Sequence, residues 1–161
     1  MTNYQSHNRD AWNKRVAAHL ESDFYDLEGW KAGKTSLNDI ELELLGDVKG
    51  KSILHLQCHF GQDSLSLARM GADVVGVDLS DKSIAAARKL NDELSLNVEF
   101  VESDVLELIG KIDRQFDLVF TSYGTIGWLP DLDRWAETIA HHLTPGGKLV
   151  FVEFHPVVWM F

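Results

Sequence analysis

The stretch numbered 52–61, which reads SILHLQCHFG, constrains the fold of this chain more than any other. Residues 53–56 are mostly apolar and have the length of a buried strand. Gly61 then favours a tight turn, and residues 62–64 (QDS) carry side chains that begin helices. A buried strand, a sharp turn and a helix N-terminus in succession predict the ligand-facing corner of a nucleotide-binding α/β fold.

Apolar runs and helical patterns alternate regularly after this corner. Ser80 caps one predicted helix, and an apolar stripe over residues 132–143 predicts another, which residues 145–147 (PGG) end. Buried strands that alternate with helices predict an α/β fold, with a doubly wound, mostly parallel sheet and helices on both faces. The predicted strands cover Ser52–Gln57, Asp73–Val77, Asn97–Val101, Phe116–Thr121 and Lys148–Phe154.

Residues 1–50 precede the first strand and are predicted to form a helical segment of their own. Apolar residues at helical spacing predict a first helix over 8–20, and residues 21–34 read as irregular. Ser36 resembles the N-cap of a second helix. Because aromatic side chains are frequent here, we expect this segment to close as a lid over a ligand site in residues 51–161. A flap that only covers one face of the sheet is the alternative.

Composition excludes several classes of protein. With 161 residues, 45% of them hydrophobic, the chain is long enough for one domain with a sizeable core. A formal net charge of −10 and the lack of a basic stripe argue against nucleic acid as a partner. No apolar run is long enough to span a bilayer, so no membrane partner is expected. Cys58 is the only cysteine, which favours a reducing, cytoplasmic location.

Carboxylates follow the second and third predicted strands. In such a sheet, ligands bind beyond the carboxyl ends of the strands, where the strand order reverses. Asp78 is placed there to accept hydrogen bonds from two ribose hydroxyls. Asp104 is placed to accept one from an adenine amino group, with the Val105 amide against the ring. Either aspartate alone is more often a turn or cap residue, but the pair, beside a turn that ends in Gly61, favours adenosine binding.

Several stretches of the chain together resemble the motifs of the class I S-adenosylmethionine-dependent methyltransferases. The similarity runs from about Lys51 to the end, and it lies in the order and spacing of the motifs, since each alone is weak. The resemblance implies a Rossmann-like fold and S-adenosylmethionine as the cofactor. The stretches are ILHLQCHFG, VVGVDLS, VEFVESDV, FDLVFTSYGTIGWLPD and LTPGGKLVFVEFHP.

The resemblance also implies a role for the residues at each strand end. The first turn would contact the methionine part of the cofactor, Asp78 the ribose and Leu79 the adenine. The end of the fourth strand would lie beside the sulfonium and the methyl acceptor, where the ring face of Tyr123 would favour a cation by roughly 0.5–2 kcal/mol. The implied cofactor-binding residues are Gln57, Cys58, His59, Gly61, Asp78, Leu79, Asp104, Val105, Thr121 and Ser122.

The first turn departs from the glycine-rich pattern of that family. His55 stands where the family has an acidic residue, and Gln57 and His59 replace two glycines. These side chains would obstruct a pyrophosphate, which needs bare backbone amides at close range. They could instead reach the amino-acid end of S-adenosylmethionine, which has no phosphate. A nicotinamide-dependent oxidoreductase is therefore disfavoured, and a non-catalytic S-adenosylmethionine-binding module stays open as an alternative.

We predict transfer of a methyl group from S-adenosylmethionine to a small-molecule acceptor. Such a reaction depends mainly on holding donor and acceptor together, and it needs a base only if the acceptor must lose a proton. The catalytic candidates are Tyr123 and His155, with His155 as a general base after the fifth strand. An ordinary buried histidine is the alternative reading of His155.

The end of the sequence generates one further expectation. The family resemblance implies two more strands after the fifth, and the sequence stops at residues 157–161 (VVWMF). We therefore expect the core, residues 51–161, to lack the last two strands of the family and the natural chain to continue. The fifth strand would then present an unpaired edge, through which the chain could self-associate.

Overall fold

Within residues 3–160, which the computed structural model describes, five strands form one parallel sheet in the order β3-β2-β1-β4-β5. The order reverses between β1 and β4, so a crevice opens at the carboxyl ends of these two strands. The predicted α/β class and parallel sheet are confirmed. The strands are β1 (Ser52–Leu56), β2 (Asp73–Asp78), β3 (Glu99–Glu102), β4 (Phe116–Ser122) and β5 (Leu143–Val152).

Helices cover both faces of this sheet. Alternate residues of β1 point to opposite faces, and each face carries apolar side chains that the helices bury. Ile53 packs in a core with α4 and α5, while Leu54 and Leu56 pack in a second core with α6. No helix in the described range 3–160 is long and apolar enough to cross a membrane. The helices are α1 (Asn3–Leu20), α2 (Leu27–Lys31), α3 (Asp39–Leu45), α4 (Gln62–Arg69), α5 (Asp81–Glu93) and α6 (Leu132–His142), with short 3-10 helices at Val105–Glu107, Ile126–Trp128 and Pro156–Met160.

The fifth strand differs from the predicted range 148–154 at both ends. β5 begins earlier, at Leu143, ends at Val152, and pairs irregularly with β4 near its start. Pro145 has no N–H for the ladder and Gly146 adopts φ +86°, so regular pairing with β4 is interrupted after Leu143 and resumes at Lys148. The other strands lie within two residues of their predicted limits.

The N-terminal segment is more helical than predicted. α1 already begins at Asn3, well before the predicted range 8–20. α2 lies in the range 21–34 that reads as irregular, because the Asp26 side chain accepts a hydrogen bond from the Gly29 amide and starts a helical turn. One such cap within a glycine-containing stretch gives no periodic signal, and five helical residues are too few to create one.

Ser36 does not cap α3, contrary to the prediction. Asn38 caps the helix through a capping box, in which the backbone N–H of Asn38 donates to Glu41 Oε2 at 2.7 Å. The Ser36 hydroxyl instead lies 2.9 Å from the hydroxyl of Ser66 on α4. A tertiary contact therefore takes the group that local sequence assigns to a cap.

Trp30 anchors the N-terminal segment to the core. Its side chain is fully buried, and its indole N–H donates to the Ser66 hydroxyl at 2.8 Å. The Arg69 guanidinium lies 4.5 Å from the ring centroid and donates to the Trp30 carbonyl at 2.7 Å. This single side chain thus fixes the position of the segment that precedes β1.

Replacing this anchor tests its energetic weight. We expect Trp30→Ala to lower the free energy of unfolding by about 3–5 kcal/mol, because it leaves a large cavity and removes the hydrogen bond from the indole to Ser66. The matched control is Phe24→Ala, since Phe24 is 84% exposed, and its expected cost is below about 0.5 kcal/mol. Denaturant unfolding measures both, and equal losses would contradict the anchoring role.

Candidate functional site

A cavity of about 880 Å³ lies at the carboxyl ends of the strands. Its walls come from the first turn, from the residues after β2, β3 and β4, and from the N-terminal segment. Ten of the residues that the sequence singles out line it together, although they come from four parts of the chain. They are Gln57, Cys58, His59, Gly61, Asp78, Leu79, Asp104, Val105, Ser122 and Tyr123.

Two predicted site residues, Thr121 and His155, do not line this cavity. The Thr121 side chain is fully buried inside the sheet, and its hydroxyl has no partner among residues 3–160. Strand alternation places it on the same face as Val119, which belongs to the core that packs on α6. His155 is exposed, and its Nδ1 accepts a hydrogen bond from the Val157 amide at 3.2 Å. The structure therefore does not bring either residue to the cavity that the other predicted site residues line.

The first turn keeps the backbone shape of a glycine-rich turn without the glycines. Gln57 and His59 adopt φ values of 55° and 51°, a left-handed conformation that costs a non-glycine residue roughly 1–2 kcal/mol. Only glycine fits at position 61, which has φ 77°, because a Cβ there would lie 2.6 Å from the Phe100 ring. The two replaced glycines therefore introduce strain at the site, and the backbone path is preserved.

Asp78 holds this strained turn in place. Its Oδ2 accepts the His59 amide and its Oδ1 accepts the Ser80 amide, each at 2.8 Å. Burial raises the pKa of Asp78 to about 6, although these amide hydrogen bonds oppose the shift. Each carboxylate oxygen can accept a further hydrogen bond, so a hydroxyl group in the cavity can bind here.

Asp104, by contrast, is largely engaged by the protein itself. Its Oδ1 accepts the Leu106 amide at 2.9 Å, and its Oδ2 accepts the Gln5 side-chain amide at 2.8 Å and the Tyr4 hydroxyl. Both donors belong to α1, and they lie about one hundred residues before Asp104 in the sequence. Local pattern gives no sign of such a contact.

α1 lies across the cavity and contacts three of the strand ends. Besides its contact with Asp104, its Asn13 accepts a hydrogen bond from the Ser80 hydroxyl at 2.6 Å. Its His19 Nδ1 lies 2.9 Å from His59 Nε2, at the first turn. The predicted lid segment therefore covers the ends of β1, β2 and β3. Its aromatic residue Trp12 packs 5.2 Å from the His59 ring.

The histidines of this region are neutral. Burial lowers the pKa of His55 and of His59 to about 3, and repulsion from His19, in its protonated form, adds to the shift at His59. His55 lies 2.7 Å from the Ser64 hydroxyl, beneath the turn. A neutral His55 supplies no charge where the family carries an acidic residue.

Asp63, which the sequence offers only as a helix-start residue, is a further member of the site. It lines the cavity at the first turn of α4, and burial raises its pKa to about 6. Its hydrogen-bond partners are the hydroxyls of Ser36 and Ser122, with the latter at 3.4 Å. Partial burial and a hydrogen bond to Glu41 raise the pKa of neighbouring Tyr123 to about 12. This end of the cavity therefore holds a proton-accepting group beside the end of β4.

Comparisons with known proteins agree with this geometry. A family model described as a methyltransferase domain matches residues 53–147. The ubiquinone biosynthesis O-methyltransferase of Coxiella burnetii is 30% identical over 135 residues, which cover 82% of this chain and 57% of that protein. The chain thus spans little more than half the length of such curated relatives.

Solved structures give the same result for the fold. An S-adenosylmethionine-dependent methyltransferase from Mesorhizobium loti matches with a TM-score of 0.64 and 29% identity, over 73% of this chain and 53% of that one. DhpI, solved in complex with SAH, matches in fold with a TM-score of 0.68 and 24% identity, over 95% of this chain and 71% of that one. The chain belongs to the class I S-adenosylmethionine-dependent methyltransferase family.

The raised pKa of Asp63 leads to a stability prediction. Its folded pKa of about 6 lies above the ordinary 3.8, so the ionised carboxylate destabilises the fold at neutral pH. We expect Asp63→Asn to raise the free energy of unfolding by roughly 1–3 kcal/mol at pH 7, with the gain vanishing as the pH falls towards 4.

Denaturant unfolding at both pH values measures this effect. The matched control is Asp113→Asn, because Asp113 is exposed, and its unfolding should be unchanged at either pH. A loss of stability at pH 7 in Asp63→Asn would contradict the assignment of Asp63 as a strained, ionised group.

Proposed function

We propose that this chain forms the cofactor-binding part of an enzyme that transfers a methyl group from S-adenosylmethionine to a hydroxyl group of a small molecule. The observation that carries the proposal is that the strand-end residues implied by the family resemblance surround one cavity. Hydroxyl as the acceptor group is suggested by the O-methyltransferase names of the curated relatives.

The residues present fit this cofactor. A cavity of about 880 Å³ is within the range that holds a molecule of this size. Asp78 has acceptor capacity for ribose hydroxyls, and the buried Gln57 Oε1 has no hydrogen-bond partner within residues 3–160. Asp63, Asp78 and Asp104 line the cavity with one cation, Arg15, among its described residues, so the wall favours a positively charged ligand.

When bound, S-adenosylmethionine supplies a methyl carbon activated by a positively charged sulfur. The chain's own residues then orient the two reactants and exclude water, with α1 covering the cavity and Ser122 and Tyr123 forming the wall at the end of β4. We assign Asp63 to accept the proton of the acceptor hydroxyl, because it lines the cavity beside the end of β4, its pKa of about 6 lies near neutral pH and its partners are neutral hydroxyls.

Titration calorimetry tests cofactor binding and the role of Asp78. We expect the chain to bind S-adenosylhomocysteine and not NAD, and Asp78→Asn to weaken binding at least tenfold, because hydrogen bonds to a charged acceptor are lost. Asp113→Asn should bind as the unaltered chain does. Preferential binding of NAD would favour an oxidoreductase and overturn the proposal.

Turnover separates an enzyme from a binding module. Methyl transfer to a small hydroxyl compound should release S-adenosylhomocysteine, and Asp63→Asn should lose turnover while it keeps cofactor binding. Binding without any turnover would favour the non-catalytic alternative.

The N-terminal segment is proposed as a lid, on the strength of its contacts with Asp104, Ser80 and His59. We expect hydrogen exchange across residues 8–34 to slow when S-adenosylhomocysteine binds, because the ligand adds contacts to the closed arrangement. Exchange at the exposed loop around Asp113 serves as the internal reference. Equal protection of 8–34 with and without ligand would leave the segment as packing alone.

A cytoplasmic location and self-association belong to the same proposal. The location is supported by the single cysteine, Cys58, which is buried and free. Self-association through β5 is supported by its position as an outer strand of the described sheet, where Leu149 and Phe151 are partly exposed.

A further inference from the structure

Glu153, the residue that follows β5, accepts hydrogen bonds from the backbone of the loop that follows β4. Its Oε2 accepts the Thr125 amide at 2.8 Å and the Ile126 amide at 3.3 Å. Its Oε1 accepts the Gly124 amide and, at 2.8 Å, the amide of Phe154. Three consecutive amides of the loop therefore converge on one carboxylate from a neighbouring strand.

The loop adopts a conformation that needs such support. Tyr123 and Gly124 have φ values of 46° and 73°, so two successive residues are left-handed and one of them carries a large side chain. Burial by itself raises the pKa of Glu153, but the amide hydrogen bonds outweigh it and lower the pKa overall. Glu153 is therefore ionised at neutral pH, and its charge compensates three loop amides.

The loop in turn fixes Gln57 in the first turn. The Gln57 side-chain NH₂ donates to the Thr125 carbonyl at 2.9 Å. An amide whose nitrogen is held by a carbonyl must direct its oxygen elsewhere, and Gln57 Oε1 is buried with no partner in the described part of the chain. Gln57 contributes to the cavity wall, so an acceptor that lacks a partner lies beside the space that a ligand would fill.

We propose that Glu153 is a positioning residue, which acts through Thr125 to orient the Gln57 amide so that its oxygen accepts a hydrogen bond from the ammonium group of the bound cofactor. Glu153 is not among the residues that line the cavity, so it would act through other residues. The inference rests on the proposed function, because the ammonium group belongs to the amino-acid end of S-adenosylmethionine.

A double-mutant cycle on the cofactor product tests this chain of contacts. Calorimetry with S-adenosylhomocysteine, which carries the same ammonium group, should give about tenfold weaker binding for Glu153→Gln. The neutral side chain turns an NH₂ group toward loop amides that need an acceptor. Glu99→Gln, at an exposed position on β3, is the matched control and should bind unchanged.

The second arm distinguishes positioning from a general structural role. In a Gln57→Ala background, Glu153→Gln should add less than a twofold loss, since the group that it orients is already gone. A further tenfold loss in that background would overturn the proposal. If Glu153→Gln does not fold, the same cycle is measured with Glu153→Asp, which keeps the charge on a shorter side chain.

Hydrogen exchange in the ligand-free chain keeps this proposal separate from the proposed function. The amides of residues 124–126 should exchange at least tenfold faster in Glu153→Gln than in Glu99→Gln. Unchanged exchange would overturn the role of Glu153, even if the cofactor binds. A chain that fails to bind S-adenosylhomocysteine but shows the faster exchange would overturn the proposed function and retain Glu153 as the support of the loop.

Discussion

The hydrogen bond from the His59 amide to the Asp78 carboxylate is the interaction on which the cavity depends. β1 and β2 pair as far as Leu56 and Val77, and the segments that follow the two strands line the cavity. Left-handed backbone at Gln57 and His59 costs roughly 1–2 kcal/mol each, while a hydrogen bond to a charged acceptor contributes about 1.5–3 kcal/mol. The carboxylate bond therefore offsets much of the strain that the replaced glycines introduce, and the turn stays open towards the cavity.

The N-terminal segment is held by two different kinds of interaction. Trp30 is buried in the core, whereas α1 buries little beyond Gln5 and Val16 and is fixed mainly by polar contacts with the strand ends. Each such contact contributes about 0.5–1.5 kcal/mol, and water can replace it when the helix lifts. Opening of α1 therefore exchanges polar contacts for contacts with water, whereas extraction of Trp30 would leave a cavity in the core. This difference is what the proposed lid requires, since a lid must open without detaching from the fold.

Burial lowers the pKa of two histidines of the site and raises the pKa of two aspartates, so the two kinds of residue change the stability of the fold in opposite directions as the pH changes. His55 and His59 have folded pKa values of about 3, so their contribution to stability is present above pH 6.5 and is lost as the pH falls. Asp63 and Asp78 have folded pKa values of about 6, so they destabilise the fold as the pH rises through that range. Between pH 4 and 6 the two pairs oppose each other. At neutral pH the histidines are uncharged and the carboxylates dominate, which suits a cationic ligand.

The sequence by itself determined the strand–helix alternation, the parallel sheet and most of the strand-end residues, because buried strands and capped helices are local patterns and parallel strands end at one edge. Ser80 and Asp78 were predictable for this reason. Only the tertiary structure decided that Asp104 is engaged by α1, that Asp63 is a partly buried carboxyl beside β4, and that Glu153 accepts the amides of the loop after β4. It also placed Thr121 and His155 outside the lining of the cavity. Some of these features depend on contacts between segments that are distant in the sequence. Others depend on which face of a strand a side chain occupies at the point where regular pairing ends. Neither kind of information leaves a periodic signal in the sequence.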